Sequence, residues 1–135
     1  MTTLEPGLKH EMSTIVEAQH LASVWGSGHA QVLSTPMLVA FCEGCALALV
    51  DPLLSEGQQT VGMSINLRHL AATPPGMTVT IKAELVEVDR RRLRFHIEAF
   101  DAVERIGEAE HERFIIERAR FDRRMAEKMA KTTGG

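Results

Sequence analysis

Alternation of apolar and polar residues runs through the second half of the chain. In 77–88 (MTVTIKAELVEV) apolar side chains recur at every second position, and 91–101 (RRLRFHIEAFD) repeats the pattern. A period of two places successive side chains on opposite faces of a β-strand. We therefore predict two strands, each with one apolar face, joined by a short turn at Asp89-Arg90. The predicted inward residues are Val79, Ile81, Ala83, Leu85, Leu93, Phe95, Ile97 and Ala99.

The other segments have weaker patterns. Three further runs alternate enough to predict strands, two of them bounded by turn residues such as Pro74-Pro75-Gly76. The predicted strands are 8–18, 60–72 and 105–117; 19–34 is predicted as a loop or short helix, 51–58 as a loop, and 119–131 as an amphipathic C-terminal helix.

Residues 36–50 (PMLVAFCEGCALALV) are apolar nearly all round, which is typical of a helix buried on most faces. Thr35 can cap this helix and Pro36 fits its first position, whereas Asp51-Pro52 ends it.

A strand, a buried helix and four strands with short antiparallel connections indicate an α+β fold rather than a parallel βαβ series. A long apolar helix wrapped by a five-stranded antiparallel sheet is the hot-dog fold. The length of 135 residues predicts a single domain over 1–135.

Composition narrows the expected partners. The formal net charge of −3 argues against a nucleic-acid surface. We expect no apolar run to reach the roughly 18 residues of a membrane span, and the N-terminus has no signal-like apolar stretch. We predict neither nucleic acid nor membrane as a partner.

The two cysteines, Cys42 and Cys45, form a C-x-x-C spacing that can be a redox pair or half of a zinc site. Because their surroundings are apolar and no second pair exists, we interpret them as small buried hydrophobic residues. This predicts a reducing, cytoplasmic location. The histidines have no metal-ligand spacing, so we expect no metal and no cofactor.

Glu43 is the only charged residue in the apolar helix, and its helical neighbours Val39, Ala40, Ala46 and Leu47 are all apolar. An ionised carboxylate buried without a partner costs several kcal/mol or more, so it must be paired, hydrogen-bonded or protonated. Such carboxylates are common at active sites. The alternative is that Glu43 lies on a narrow solvent-exposed stripe.

Three stretches carry a family resemblance. R-H-L-A-A-T-P-P-G-M-T-V-T at 68–80, H-E-R at 111–113 and T-P-M-L-V-A-F-C-E at 35–43 resemble the fluoroacetyl-CoA thioesterase family of hot-dog thioesterases. The likeness spans roughly residues 8–131 and is strongest over 60–125.

The resemblance implies hydrolysis of an acyl-CoA thioester by a dimer. It implies a catalytic group of Thr35, Glu43 and His69. It also implies that Gly62 supplies an oxyanion-binding backbone N–H and that Arg113 lies in the substrate pocket. The fluoroacetyl-specific enzyme carries phenylalanines in a lid before its threonine, whereas 26–29 here is G-S-G-H. We therefore expect a small or medium acyl-CoA substrate rather than fluoroacetyl selectivity.

Spacing adds a geometric prediction. In a continuous strand Gly62 and His69 would be about 23 Å apart, and Thr35 and Glu43 would be about 12 Å apart along one helix. Either the helix starts after Thr35 with a sharp bend, or Thr35 and Glu43 also meet across the dimer. If strand 60–72 pairs with its own copy about an axis near residues 65–66, Gly62 faces His69 of the partner subunit. We therefore predict composite sites in a homodimer, or in a tetramer of two stacked dimers.

Several alternatives remain. The protein could be a non-catalytic acyl-thioester binding module, or a hot-dog hydratase that moves protons on the acyl chain. Glu43 could act as a general base or as a nucleophile, with His69 transferring protons near neutral pH. His111 alternates with Arg113 and could line the same pocket, although we favour simple packing.

Overall fold

A computed structural model describes residues 3–133 of the chain, and the side chains as far as residue 132. The first two and last two residues of the predicted domain lie outside this range, and the domain assignment 1–135 stays a prediction. The elements, in chain order, are β1 (Lys9–Ile15), a 3-10 turn (Ala18–His20), α1 (Ala22–Trp25), α2 (Thr35–Val50), a second 3-10 turn (Asp51–Leu53), β2 (Gln58–His69), β3 (Thr78–Asp89), β4 (Arg92–Phe100), β5 (Arg105–Glu117) and α3 (Arg118–Thr133).

The predicted elements are all present, but several boundaries move. β1 ends three residues earlier than expected, and β2 begins and ends earlier than 60–72. The β3–β4 turn is formed by Arg90 and Arg91 rather than by Asp89-Arg90, because Asp89 still pairs with Arg92. Arg90 has φ 58°, the left-handed conformation that a tight two-residue hairpin turn requires.

The five strands form one antiparallel sheet in the order β1-β3-β4-β5-β2. Strands β3, β4 and β5 form the expected meander. The segment after Pro74-Pro75-Gly76 does not form a hairpin, because β2 pairs with β5 while β3 pairs with β1 and β4. β2 therefore lies at the edge of the sheet, which leaves one side of its backbone unpaired within the protomer.

Helix α2 packs on one face of this sheet, as expected for the hot-dog fold. The predicted inward residues of β3 and β4 are all buried, at 2% exposure or less. On β5, Gly107 lets the helix approach closely: a Cβ atom there would lie 3.1 Å from Leu38 of α2.

One face of α2 is left uncovered by the other described residues of the protomer. Pro36, Ala40 and Leu47 are exposed along it, so the prediction of a helix buried on most faces is only partly met by a single chain. The stretch Thr35–Leu53 has the length and the mean hydropathy, 1.6, of a membrane span, contrary to the sequence expectation. The core helix of a globular domain meets the same criteria, and α2 packs as one.

A β-bulge interrupts β2 between Gly62 and Ser64. His69 is seven positions after Gly62, and strict alternation would place the two residues on opposite faces of the sheet. The extra residue, Met63, shifts the alternation by one. Gly62 consequently lies opposite Arg113, and His69 opposite Gly107, on the same face as α2.

Candidate active site

The carboxylate of Glu43 lies against the bulged part of β2. A Cβ atom at Gly62 would be only 2.7 Å from Oε2 of Glu43, so glycine is what admits the carboxylate at this point. The same oxygen lies 3.7 Å from Nη1 of Arg113. The Glu43 side chain is 40% exposed in the protomer, which corrects the expectation of a fully buried carboxylate.

Arg113 is buried, and hydrogen bonds to another residue hold its guanidinium in place. Its Nε donates to Oγ1 of Thr60 at 2.8 Å, and its Nη2 donates to the Thr60 carbonyl at 3.2 Å. Burial lowers the pKa of the guanidinium, while the charges of Glu43 and Asp51 oppose that shift. The group remains a cation, because arginine is effectively always protonated in proteins.

Thr35 and His69 form a second cluster at the N-terminal end of α2. Oγ1 of Thr35 and Nδ1 of His69 share a hydrogen bond of 2.7 Å. The prediction that Thr35 caps the helix is wrong, because Ser34 is the N-cap residue and its hydroxyl accepts from the Met37 N–H at 3.2 Å. The Thr35 hydroxyl is therefore free to contact the imidazole.

The environment of His69 suits a proton-transfer group. Burial lowers the pKa of its imidazole, although the Ala71 backbone acts in the opposite direction, and the net shift favours the neutral ring. Its Nε2 atom is buried and has no hydrogen-bond partner within residues 3–133. A buried nitrogen without a partner is uncommon and calls for a functional explanation.

Within one protomer these are two half-sites. The first contains Glu43, Gly62 and Arg113, and the second contains Thr35 and His69. Residues 35 and 43 are about 12 Å apart along the axis of α2, so one protomer does not bring its own His69 to its own Glu43. The roles of these five residues stay predictions.

A cavity of about 250 Å³ opens beside the first half-site. It is lined by Glu43, Gly62, Met63, Ser64, Ile65 and His111. His111 both borders this cavity and packs in the core, where its ring stacks on Phe95 with centroids 5.8 Å apart. Arg113 is not among the residues that line this cavity, although its Nη1 atom lies 3.7 Å from Oε2 of Glu43.

The C-x-x-C pair lies apart from this chemistry. Cys42 and Cys45 are free, buried thiols. Burial raises the pKa of Cys42 to about 12 and that of Cys45 to about 11, so neither is a thiolate near neutral pH. In the described part of the chain, no group of three or more His, Cys, Asp or Glu side chains is arranged to hold a metal ion; the absence of a cofactor stays a prediction.

Sequence reasoning missed Thr60 and the bulge. Thr60 alternates with Gly62 along β2, which was a signal that it faces the same side. The odd spacing of Gly62 and His69 was a signal for a bulge, since two residues of one site need the same face of the sheet.

Comparisons of the sequence and of the fold both identify similar proteins that are thioesterases. The family described as fluoroacetyl-CoA-specific thioesterase (FlK) matches residues 16–119. A fluoroacetyl-CoA thioesterase of Streptantibioticus cattleyicolor is 38% identical over 98 residues, which are 73% of this chain and 70% of that protein.

Solved structures agree. A point mutant of FlK in complex with acetyl-CoA matches with a TM-score of 0.87 at 29% identity, over 93% of this chain and 98% of that one. A thioesterase-superfamily protein of Thermus thermophilus matches with a TM-score of 0.91 over 100% of both chains, and at 23% identity it supports the fold alone.

These matches define a hot-dog thioesterase, in agreement with the predicted α+β fold. The chain belongs to the fluoroacetyl-CoA-specific thioesterase family. The predictions of a hot-dog fold and of an acyl-CoA thioester hydrolase are confirmed.

Proposed function

We propose that the protein hydrolyses a small or medium acyl-CoA thioester as a homodimer whose two active sites each combine residues of both subunits. Each site uses Glu43, Gly62 and Arg113 of one subunit with Thr35 and His69 of the partner subunit. The observation that carries this proposal is the separation of the two half-sites within one protomer.

The free edge of β2 supports this assembly. Antiparallel pairing of β2 with its copy about an axis at Asn66 brings the bulged pair Gly62–Met63 opposite His69 of the partner subunit. It also satisfies the unpaired backbone groups of a long edge strand, which otherwise invites aggregation. The exposed apolar face of α2 offers further surface that association could cover.

The chemistry follows from this arrangement. Attack on the thioester carbonyl forms a C–O bond, and collapse of the tetrahedral intermediate breaks the C–S bond. Water supplies the oxygen and the protons, so the products are the free acid and the CoA thiol. Glu43 activates the water or attacks directly, the Gly62 N–H stabilises the developing oxyanion, and His69 of the partner subunit transfers protons.

The acyl group should be small. The family structure described above holds acetyl-CoA, a short acyl thioester. Fluoroacetyl selectivity is not part of the proposal, because residues 26–29 are Gly-Ser-Gly-His where the fluoroacetyl-specific enzyme carries lid phenylalanines.

A panel of acyl-CoA thioesters of increasing chain length tests the activity, with free thiol as the readout. We expect release to be fastest for short chains. If no thioester releases thiol while a CoA ligand still binds, the protein is the non-catalytic binding module. If an enoyl-CoA is hydrated instead, it is the hydratase.

Subunit mixing tests the composite site. Glu43→Gln and His69→Ala homodimers are each expected to be inactive. A mixed dimer carries one site with both changes and one intact site, so random exchange should restore about a quarter of wild-type activity. If each site were built from one subunit only, every site in a mixed dimer would carry one of the two substitutions. Mixing would then restore no activity.

The same proposal locates the protein in the cytoplasm, where Cys42 and Cys45 stay reduced. It includes neither nucleic acid nor a membrane as a partner, and two dimers could stack into a tetramer. Sedimentation of the purified protein distinguishes monomer, dimer and tetramer, and a monomer with full activity would contradict the composite site.

A further inference from the structure

We propose that His111 is a positioning residue that connects the β2 bulge to the Arg113–Glu43 pair. This inference rests on the proposed function, because its consequence is measured as thioester hydrolysis. The family resemblance assigned no role to this position. The contacts of both imidazole nitrogens and the packing of the ring carry the argument.

The Nδ1 atom of His111 is 2.8 Å from the carbonyl oxygen of Ser64. A carbonyl only accepts hydrogen bonds, so Nδ1 must carry the proton. Ser64 closes the bulge in β2, and this hydrogen bond therefore anchors the segment that places Gly62 and His69 on one face of the sheet.

The Nε2 atom lies on the other side of the ring, 3.3 Å from Nη1 of Arg113. Arginine only donates hydrogen bonds, so Nε2 must accept with its lone pair. The two contacts together require one neutral tautomer of His111, with its proton on Nδ1. Burial lowers the pKa of His111, and the charge of Arg113 acts in the same direction, although the Ser64 hydrogen bond and the charges of Glu43 and Glu112 oppose it.

The ring has little freedom to turn. His111 is 1% exposed and stacks on Phe95 at an interplanar angle of 30°. Its Cε1 atom would lie 3.6 Å from a Cβ atom at Gly62, so the imidazole also borders the position where the carboxylate meets the strand.

The guanidinium of Arg113 is consequently fixed from two sides. Thr60 holds Nε and Nη2, and His111 holds Nη1, the same nitrogen that faces Oε2 of Glu43 at 3.7 Å. Because Glu43 has no neighbouring polar side chain on α2, these contacts set the position of its carboxylate. His111 thus acts on the reaction through Arg113 and the bulge, without touching the reacting atoms.

Three substitutions of His111 distinguish the contact of its Nδ1 atom from that of its Nε2 atom. His111→Phe keeps a ring against Phe95 and removes both nitrogens. His111→Asn keeps a donor near Nδ1, and His111→Gln keeps an acceptor near Nε2. We expect the phenylalanine variant to lose about 10²-fold in kcat with a smaller change in KM, because small displacements of catalytic groups have effects of this size. The asparagine and glutamine variants should each recover part of that loss.

His96→Phe is the matched control. His96 lies on the outer face of β4, bonded to Glu110 at 2.7 Å, and its replacement should leave kcat unchanged. Full activity of a folded His111→Phe dimer would overturn the proposal.

A second measurement needs no substrate. Nitrogen-15 NMR of the wild-type imidazoles should report His111 as the neutral Nδ1–H tautomer at neutral pH. An Nε2–H tautomer or a protonated ring would overturn the proposal, even if the phenylalanine variant failed to fold. This measurement also distinguishes failure of the proposed function from failure of the His111 proposal. A wild-type protein that released no thiol could still have the expected tautomer.

Discussion

The charged side chains on the outer face of strand β5 are exposed to solvent, whereas the charged side chain of Arg113 on its inner face is buried. On the outer face, ion pairs are short: Arg92 lies 2.8 Å from Glu112, and Arg105 lies 3.0 Å from Glu98. On the inner face, Arg113 and Glu43 are 3.7 Å apart. Distance alone would rank the outer pairs as the stronger ones.

Burial reverses that ranking. The outer side chains are about one-third exposed or more, so water screens their charges and each pair contributes little to stability. The guanidinium of Arg113 is 7% exposed and held by Thr60 and His111. The position of the guanidinium does not depend on Glu43, and a fixed cation beside a partly exposed carboxylate suits a catalytic group better than a structural one.

The largest effects should follow removal of the titratable groups on the inner face. Glu43→Gln and His69→Ala should each lower kcat by at least ~10²-fold, the typical contribution of an acid–base group. Steady-state thiol release measures the loss, and gel filtration checks that the assembly persists. Near-wild-type rates in both variants would remove these residues from the catalytic group.

Gly62→Ala should have the next largest effect. The added methyl group would lie 2.7 Å from Oε2 of Glu43, so the end of that flexible side chain must move. We expect kcat to fall about 10-fold, since a catalytic group is misplaced, with little change in melting temperature. Gly44→Ala, at the residue that follows Glu43 in α2, is the control, because nothing lies within 4 Å of its added methyl group. Equal behaviour of the two variants would show that the contact with Glu43 is unimportant.

At the start of α2, loss of the Thr35 hydroxyl should affect activity, whereas loss of the neighbouring Ser34 hydroxyl should affect stability. Thr35→Val removes the partner of His69 and should lower kcat about 10-fold while leaving the free energy of unfolding nearly unchanged. Ser34→Ala removes the N-cap and should lower that free energy by about 1 kcal/mol with little effect on kcat. Urea denaturation and thiol release measure both, and the opposite pattern would return the capping role to Thr35.

The outer face should give the smallest effect. Arg105→Ala removes contacts with Glu98 at 3.0 Å and Glu108 at 3.4 Å, yet should change the free energy of unfolding by less than about 1 kcal/mol. The kcat value should not change. A drop in kcat would mean that the charged outer face communicates with the site, and the contrast between the two faces of β5 would fail.

Much of the fold was predictable because strand faces follow a period of two. The alternate residues of β3 and β4, such as Val79 and Phe95, are buried as expected, since each polar neighbour can reach water only if the apolar side faces the helix. Boundaries were less predictable. β1 ends at Ile15 and β2 at His69, where their regular ladders with β3 and β5 stop, and the paired residues of those strands are distant in sequence.

The candidate site was predictable in its residues but not in its geometry. Glu43 drew attention as a charge on an apolar helix, and the family resemblance supplied Thr35, His69, Gly62 and Arg113. The bulge at Met63 was not visible in the local pattern, because an extra residue leaves hydrophobicity almost unchanged while it reverses which face each later side chain takes.

The sequence by itself determined the alternating strands, the apolar central helix and the residue types that can hydrolyse a thioester, because periodicity and side-chain chemistry are local properties. Tertiary structure decided which hydroxyl caps α2, which face of β2 carries Gly62 and His69, and which groups hold Arg113. Each of these depends on contacts between segments far apart in the chain, such as Thr60 with Arg113 and His111 with Ser64. Their free energies arise only when the sheet has formed.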